Sequence, residues 1–185
     1  MNTIHRLLCR SGLWRRVLEE KMMPWVLDGE DMGTDLLEIG PGPGLTTDIL
    51  RRRVPRLTAI EIDSRLAASL AARLDGGARV VRGDATAMPF RAGSFSAVIS
   101  LTMLHHVPSV ELQDKLFAEA WRVLRRGGRF VASDSRKSFT MTLLHAGGTM
   151  VLVDPETVGG RLERAGFREV RVECREHAFK VAAVR

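Results

Sequence analysis

The sequence predicts an α/β fold, a doubly wound sheet of mainly parallel strands with helices on both faces, and three observations lead to it. Short apolar runs alternate with amphipathic helical stretches, the runs end in glycine or an acid, and the chain closes on two strand-like runs around a turn. Strand–helix–strand units produce parallel strands, and such sheets take ligands in the crevice beyond the strands' carboxyl ends. The chain has 185 residues, a length that fits one domain and buries roughly 70% of its unfolded surface.

The elements follow in order. Leu13, Trp14, Val17, Leu18, Met22 and Trp25 recur at helical steps, so a helix is expected over 13–27, kinked or ended by Pro24. "DLLEIG" (35–40) is a short apolar strand, followed after three glycines by a helix carrying Leu45, Ile49 and Leu50. "RLTAIEID" (56–63) is a second strand, with Asp63 or Ser64 capping the helix "SRLAASLAARL". "ARVVRGD" (78–84) is a third strand, and "SFSAVISLTMLHHV" (94–107) supplies a fourth that runs into a His-His pair. An amphipathic helix over 110–125 is expected to stop at Gly127-Gly128, with strand five at "RFVASDS" (129–135). Residues 136–153 lack a clear period and read as an excursion over the ligand edge. "PETVGGRLERAGF" is a last helix stopped by Gly166, and 169–185 form the terminal hairpin.

Composition narrows the function classes. No run approaches the ~18 apolar residues of a membrane span, and charges interrupt the N-terminal stretch, so we expect a soluble, cytoplasmic protein without a signal peptide. Cys9 and Cys174 fit no ligand spacing, which implies unpaired thiols in a reducing compartment and no metal site. The net charge of +6 would suit a nucleic-acid binder. Yet lysine occurs only at positions 21, 115, 137 and 180, so 24 of the 28 basic residues are arginine, scattered along the chain. The runs at 51–53 and 125–126 fall at expected helix ends, where cations suit the helix dipole, and nucleic acid is not the expected partner.

The chemistry gathers at the strand ends. Gly40, Gly42 and Gly44 remove the Cβ atoms that would keep a ligand off the first turn, and Gly44 also admits close packing of the next helix. Pro41 and Pro43 stiffen that turn. Glu61 ends the second strand 21 residues after Gly40, close to the spacing at which dinucleotide folds set an acid on ribose hydroxyls. Asp63 is the alternative ribose ligand, although its place before a helix suits a cap. Glu38, Glu61 and Asp84 thus end or nearly end three successive strands on a basic chain, and they ask for a ligand with ribose, an amino-bearing base and positive charge. A nicotinamide cofactor fits less well, because "GPGPGL" has leucine where GxGxxG needs its third glycine.

"LLEIGPGPG", "LTAIEID", "VVRGDATAMPF", "FSAVISLTMLHHV" and "RVLRRGGRF" resemble, in order and in register with the expected strands, the motifs of class I S-adenosylmethionine-dependent methyltransferases. The resemblance is strongest to the broad group around the ubiquinone and menaquinone biosynthesis C-methyltransferases (methyltransferase type 11), and it covers about Asp35 to Val131. It implies a Rossmann-like seven-stranded sheet with the last strand antiparallel, and S-adenosylmethionine as cofactor with S-adenosylhomocysteine as product. By resemblance, Gly40, Pro41, Gly42 and Gly44 would line the methionine and ribose, Glu38 would orient the ammonium, Glu61 would bind the ribose hydroxyls, and Ile62 would be a further cofactor-binding residue. Asp84 and Ala85 would contact adenine, and Ser100 and Leu101 would border the methyl. On this reading residues 1–33 form a helical lid, 34–135 the cofactor-binding core, and 136–185 a substrate-side loop, last helix and hairpin of one domain.

Methyl transfer from a sulfonium needs in-line placement more than it needs a base. His105 is the candidate base or orienting donor, with His106 and His145 as further substrate-side residues. The slot after strand four holds "SLTMLHHV" in place of the Pro-Pro-aromatic motif of amino-methylating nucleic-acid enzymes, which points to a small-molecule acceptor. Apolar residues of the excursion, with Trp14 and Trp25, suit an apolar one. The alternatives are a regulatory cofactor-binding protein without turnover and an RNA methyltransferase.

Overall fold

The computed structural model describes residues 12–136 and 150–185. Seven strands form one sheet: β1 (Asp35–Ile39), β2 (Arg56–Glu61), β3 (Arg79–Arg82), β4 (Phe95–Leu101), β5 (Leu124–Ser135), β6 (Arg168–Cys174) and β7 (Ala178–Val184). Their order is β3-β2-β1-β4-β5-β7-β6. β7 runs antiparallel to both β5 and β6, and the other pairings are parallel. The expected mixed sheet with an antiparallel last strand is therefore present, and the strand order reverses at β1, next to β4. That junction is where a doubly wound sheet opens its crevice.

Alternation along the strands feeds two cores. Leu37, Val98, Phe130 and Val181 join one hydrophobic cluster with the helices α5 (Val110–Val123) and α6 (Pro155–Arg164). Leu36, Ala97, Ile99 and Val131 join the other, against α3 (Leu45–Leu50), Leu18 and α2 (Met23–Val26), the latter two following the N-terminal helix α1 (Gly12–Val17). The sheet thus buries both faces, which is why its strands read as continuous apolar runs. Among the described residues the remaining α-helix, α4 (Ser64–Leu74), packs on β2 and β3.

Caps follow the sequence closely. Asp63 accepts from Arg65 N and Leu66 N at the start of α4, so it is the cap of that pair. Ser109 Oγ accepts from Leu112 N at the start of α5, with Gln113, Leu116, Phe117, Ala120 and Val123 on the buried face of that helix. Ser109→Ala should cost about 1 kcal/mol and lower the melting temperature by about 2–4 °C, readable by calorimetry.

Three boundaries differ from expectation. α1 and α2 are joined by a π-helical turn, Leu18–Met22, in which Met23 N reaches back five residues to Leu18 O. Pro24 therefore follows a widened turn and does not end the helical run, in keeping with its missing N–H. α5 stops at Val123, before the glycines, and β5 begins at Leu124, which pairs with Phe95 ahead of a register shift. Gly127, at φ 73°, donates to Arg185 O, and Arg185 N donates to Gly128 O, so the chain's last residue holds this arm extended. β3 is also shorter than expected, leaving Gly83 and Asp84 beyond the strand. No helix among the described residues is long and apolar enough to cross a membrane.

Candidate active site

β1 delivers the chain into the glycine turn, and the three glycines serve different ends. Gly40 sits at φ 64°, donates to Ile60 O at 2.9 Å, and would place a Cβ 2.2 Å from Met103 Cγ. Gly42 N donates to Glu61 Oε2 at 3.0 Å, and nothing lies within 4 Å of where its Cβ would stand. Gly44 faces backwards: at φ 84° its Cβ would meet Leu70 Cδ1 at 2.3 Å and Arg73 Nη2 at 2.6 Å, so the helix it lets come close is α4 and not the next one, α3. The first two glycines open the front of the turn, and the third seats its back.

The acids at the strand ends are held in different ways. The Glu61 carboxylate accepts from Gly42 N through Oε2 and from Asp63 N through Oε1, so two backbone amides fix it at the end of β2. Each oxygen keeps a second lone pair for a ligand hydroxyl. Asp84 Oδ1 accepts from Thr86 N and Thr86 Oγ1 in a local turn. Glu38 is almost wholly buried; Thr46 Oγ1 donates to its Oε1, while Oε2 has no hydrogen-bond partner among the described residues. Burial pushes its carboxyl up to about 7; the Thr46 hydrogen bond and the nearby Thr47 hydroxyl restrain the rise, and the Asp48 and Glu61 carboxylates add to it.

A cleft of about 540 Å³ opens beyond these strand ends. Gly40, Pro41, Gly42, Glu61, Ile62, Asp84, Ala85, Leu101 and His106 all line it, so most of the residues singled out from the sequence share one wall. Ile62 is 66% exposed, a large apolar side chain at the rim. Glu38, Gly44, Ser100 and His105 are not in the lining; Ser100 is fully buried, and its Oγ is without a hydrogen-bond partner among the described residues. His145 lies outside the described residues.

The two adjacent histidines separate. β4 ends at Leu101, and Thr102 takes φ 51°, held by its N–H donating to Ser133 O at 2.8 Å. A 3-10 turn, Leu104–His106, follows. His105 is buried, its backbone N–H donating to Asp134 Oδ2 at 2.9 Å and its Nδ1 lying 2.6 Å from Asp134 Oδ1. His106 stands on the cleft side, its ring 4.1 Å from that of His105. Of the adjacent pair, the structure therefore brings His106 to the cleft and sets His105 behind it. Leu18, Met103 and Thr102 are among the lining residues that sequence reasoning missed. Leu18 stands in the N-terminal apolar stripe and reads there as core, Met103 is visible only as the neighbour that Gly40 must accommodate, and Thr102 carries no sequence signal for its left-handed backbone. Among the described residues no group of three or more His, Cys, Asp or Glu is placed to hold a metal ion.

Comparison with known proteins places this architecture. Residues 37–132 match the family described as "Methyltransferase domain". An uncharacterized methyltransferase of a Mycobacterium species is 35% identical over 102 residues, 55% of this chain and 38% of that protein. The yeast 18S rRNA (guanine(1575)-N(7))-methyltransferase is 30% identical over 141 residues, 66% of this chain and 50% of that protein. The ubiquinone/menaquinone biosynthesis C-methyltransferase UbiE of Dinoroseobacter shibae is 30% identical over 128 residues, 65% and 49% respectively. The matches thus span half or less of each of these relatives. Among solved structures, a SAM-dependent methyltransferase from Archaeoglobus fulgidus superimposes with a TM-score of 0.77 at 15% identity, covering 100% of both chains, and shares the fold.

Proposed function

The chain belongs to the methyltransferase domain family, and from that premise we propose that it transfers the methyl group of S-adenosylmethionine to a small, largely apolar acceptor. The observation that carries the cofactor reading is the cleft at which the open Gly42 turn, the fixed Glu61 carboxylate and the Asp84 turn meet, with buried Glu38, whose Oε2 has no hydrogen-bond partner among the described residues, near the end of β1. A ligand carrying a ribose, an adenine and an ammonium satisfies each of these groups in turn. Glu61 would accept both ribose hydroxyls without rearranging, because its amide donors already fix it. Ile62 would cover one face of the base, and Asp84 would accept from its amino group. Glu38 would balance the ammonium charge.

When bound, the cofactor supplies a sulfonium-activated methyl that needs only an aligned nucleophile and leaves S-adenosylhomocysteine. This chain's own contribution is placement and the exclusion of water. Leu18, Met103, Val107, Leu112 and Leu116 give the rest of the cleft a largely apolar lining, with Thr102 and His106 as polar groups among them. The His106 imidazole would orient the acceptor or take a proton from it. We also read the N-terminal helices as a lid, since Leu18 of the π turn lines the cleft.

Calorimetric titration with S-adenosylmethionine tests the reading. Glu61→Ala should weaken binding by more than ~1.4 kcal/mol, a tenfold loss, because two hydroxyl hydrogen bonds to a charged acceptor disappear. Unchanged affinity would remove Glu61 from the site.

An RNA acceptor is the second reading, favoured by the +6 charge and by the rRNA methyltransferase among the relatives. Neutralised phosphates would make RNA affinity fall steeply with salt, by a log–log slope near the number of contacts. Absence of salt-dependent RNA binding at about 50 mM salt would dispose of it.

A further inference from the structure

We infer that Arg73, on α4, is a positioning residue that clamps the glycine turn from behind in the shape that receives the cofactor. The inference rests on the cofactor reading above for its ligand, although the clamp itself is a matter of geometry. Arg73 Nη1 donates to both oxygens of Asp48, at 2.9 and 2.8 Å, and Nη2 donates to Pro43 O at 3.1 Å and Gly44 O at 3.2 Å. One planar guanidinium thus ties the first turn of α3, through Asp48, to the two carbonyls that close the glycine turn. Gly44 is the residue whose missing Cβ makes room for that guanidinium, since a Cβ there would stand 2.6 Å from Nη2.

Arginine is the side chain this arrangement requires. Its rigid fork serves a carboxylate and two carbonyls at once, whereas an ammonium is a point charge that cannot span them. The anchor at the far end is firm: the Asp48 side chain is 7% exposed and also faces Arg51 at 3.5 Å and Arg15 at 3.7 Å. Those two arginines supply charge but make no hydrogen bond to the turn's carbonyls. Arg15 belongs to α1, so the same carboxylate joins the N-terminal helices to the cofactor turn. On the front of the turn, Gly42 N meets Glu61, and the backbone between Pro41 and Gly44 is therefore held from both sides. Loss of the rear contact leaves the turn to the front one and to its own backbone bonds, Gly40 N to Ile60 O and Gly44 N to Pro41 O.

The test compares Arg73→Met, Arg73→Lys and Arg51→Met in the full chain. Each methionine variant removes one positive charge facing Asp48, and only Arg73→Met removes the bonds to Pro43 O and Gly44 O. Two readouts are taken: the dissociation constant for S-adenosylmethionine by calorimetry, and amide hydrogen exchange over residues 40–45. Arg73→Met is expected to weaken binding at least tenfold and to speed exchange across the turn, Arg73→Lys to recover part of both, and Arg51→Met to stay within about twofold of wild type in both. Equal losses in the two methionine variants would reduce Arg73 to a charge, and unchanged exchange in Arg73→Met would overturn the clamp. Should the wild type fail to bind S-adenosylmethionine, the cofactor reading falls, while the exchange comparison still decides whether Arg73 holds the turn.

Discussion

Glu38→Gln is expected to make the ligand-free protein more stable at pH 8 and, in the same molecule, to weaken cofactor binding. The wild-type carboxyl is pushed up to about 7 by burial, against an ordinary value of 4.5. Protonation is therefore favoured in the folded state. The stability this group contributes is complete below pH 4.5 and is lost as pH rises through 7, up to about 3 kcal/mol at one pKa unit per 1.36 kcal/mol. Glutamine keeps an acceptor for Thr46 and carries no charge to bury, so its stability should be flat across that window. Urea unfolding at pH 5 and pH 8 reads the difference. The ligand side has the opposite sign. An ammonium beside Glu38 favours the ionised carboxyl, so wild-type affinity for S-adenosylmethionine should rise on the order of tenfold between pH 5.5 and 7, below the range in which an α-amino group loses its proton. The glutamine variant should bind more weakly at pH 7 and show no such rise. A wild type whose affinity is flat over that interval would separate Glu38 from the ligand. Both results together would describe a site that gives up stability for a charge it uses.

The parts legible in the sequence are those decided locally. Buried parallel strands read as apolar runs, and Glu38 and Glu61 stand out because each closes or nearly closes such a run with a carboxylate. Asp63 was separable from Glu61 because a cap has its own geometry, and both oxygens of Glu61 prove to be held by neighbouring amides. Features set by distant partners stayed hidden. His105 and His106 are equivalent as letters, and the choice between them is made by Asp134, 29 residues later, which takes both the backbone N–H and the ring of His105. The end of α5 was misplaced because Arg185, at the end of the chain, holds Gly127 and Gly128 in an extended arm. Arg73 reads as one more solvated arginine on an amphipathic helix, and only the folded turn brings the two carbonyls to it.

Gly40→Ala carries the second large effect, and its parts can be separated. The backbone at φ 64° lies in the left-handed region, where an L side chain costs roughly 1–2 kcal/mol. The new Cβ would also stand 2.2 Å from Met103 Cγ, so Met103 must move, and Met103 lines the cleft. The first effect strains the turn whether or not ligand is present; the second spends its cost in the space a ligand occupies. Gly40→Ala should therefore lower unfolding stability by about 2 kcal/mol and weaken S-adenosylmethionine binding by more than tenfold. Adding Met103→Ala removes the clash and leaves the strain. The double variant should regain much of the affinity but little of the stability, a coupling that a double-mutant cycle reads directly. Additive losses of affinity would place Met103 outside the ligand's reach and leave backbone strain as the whole effect of the substitution.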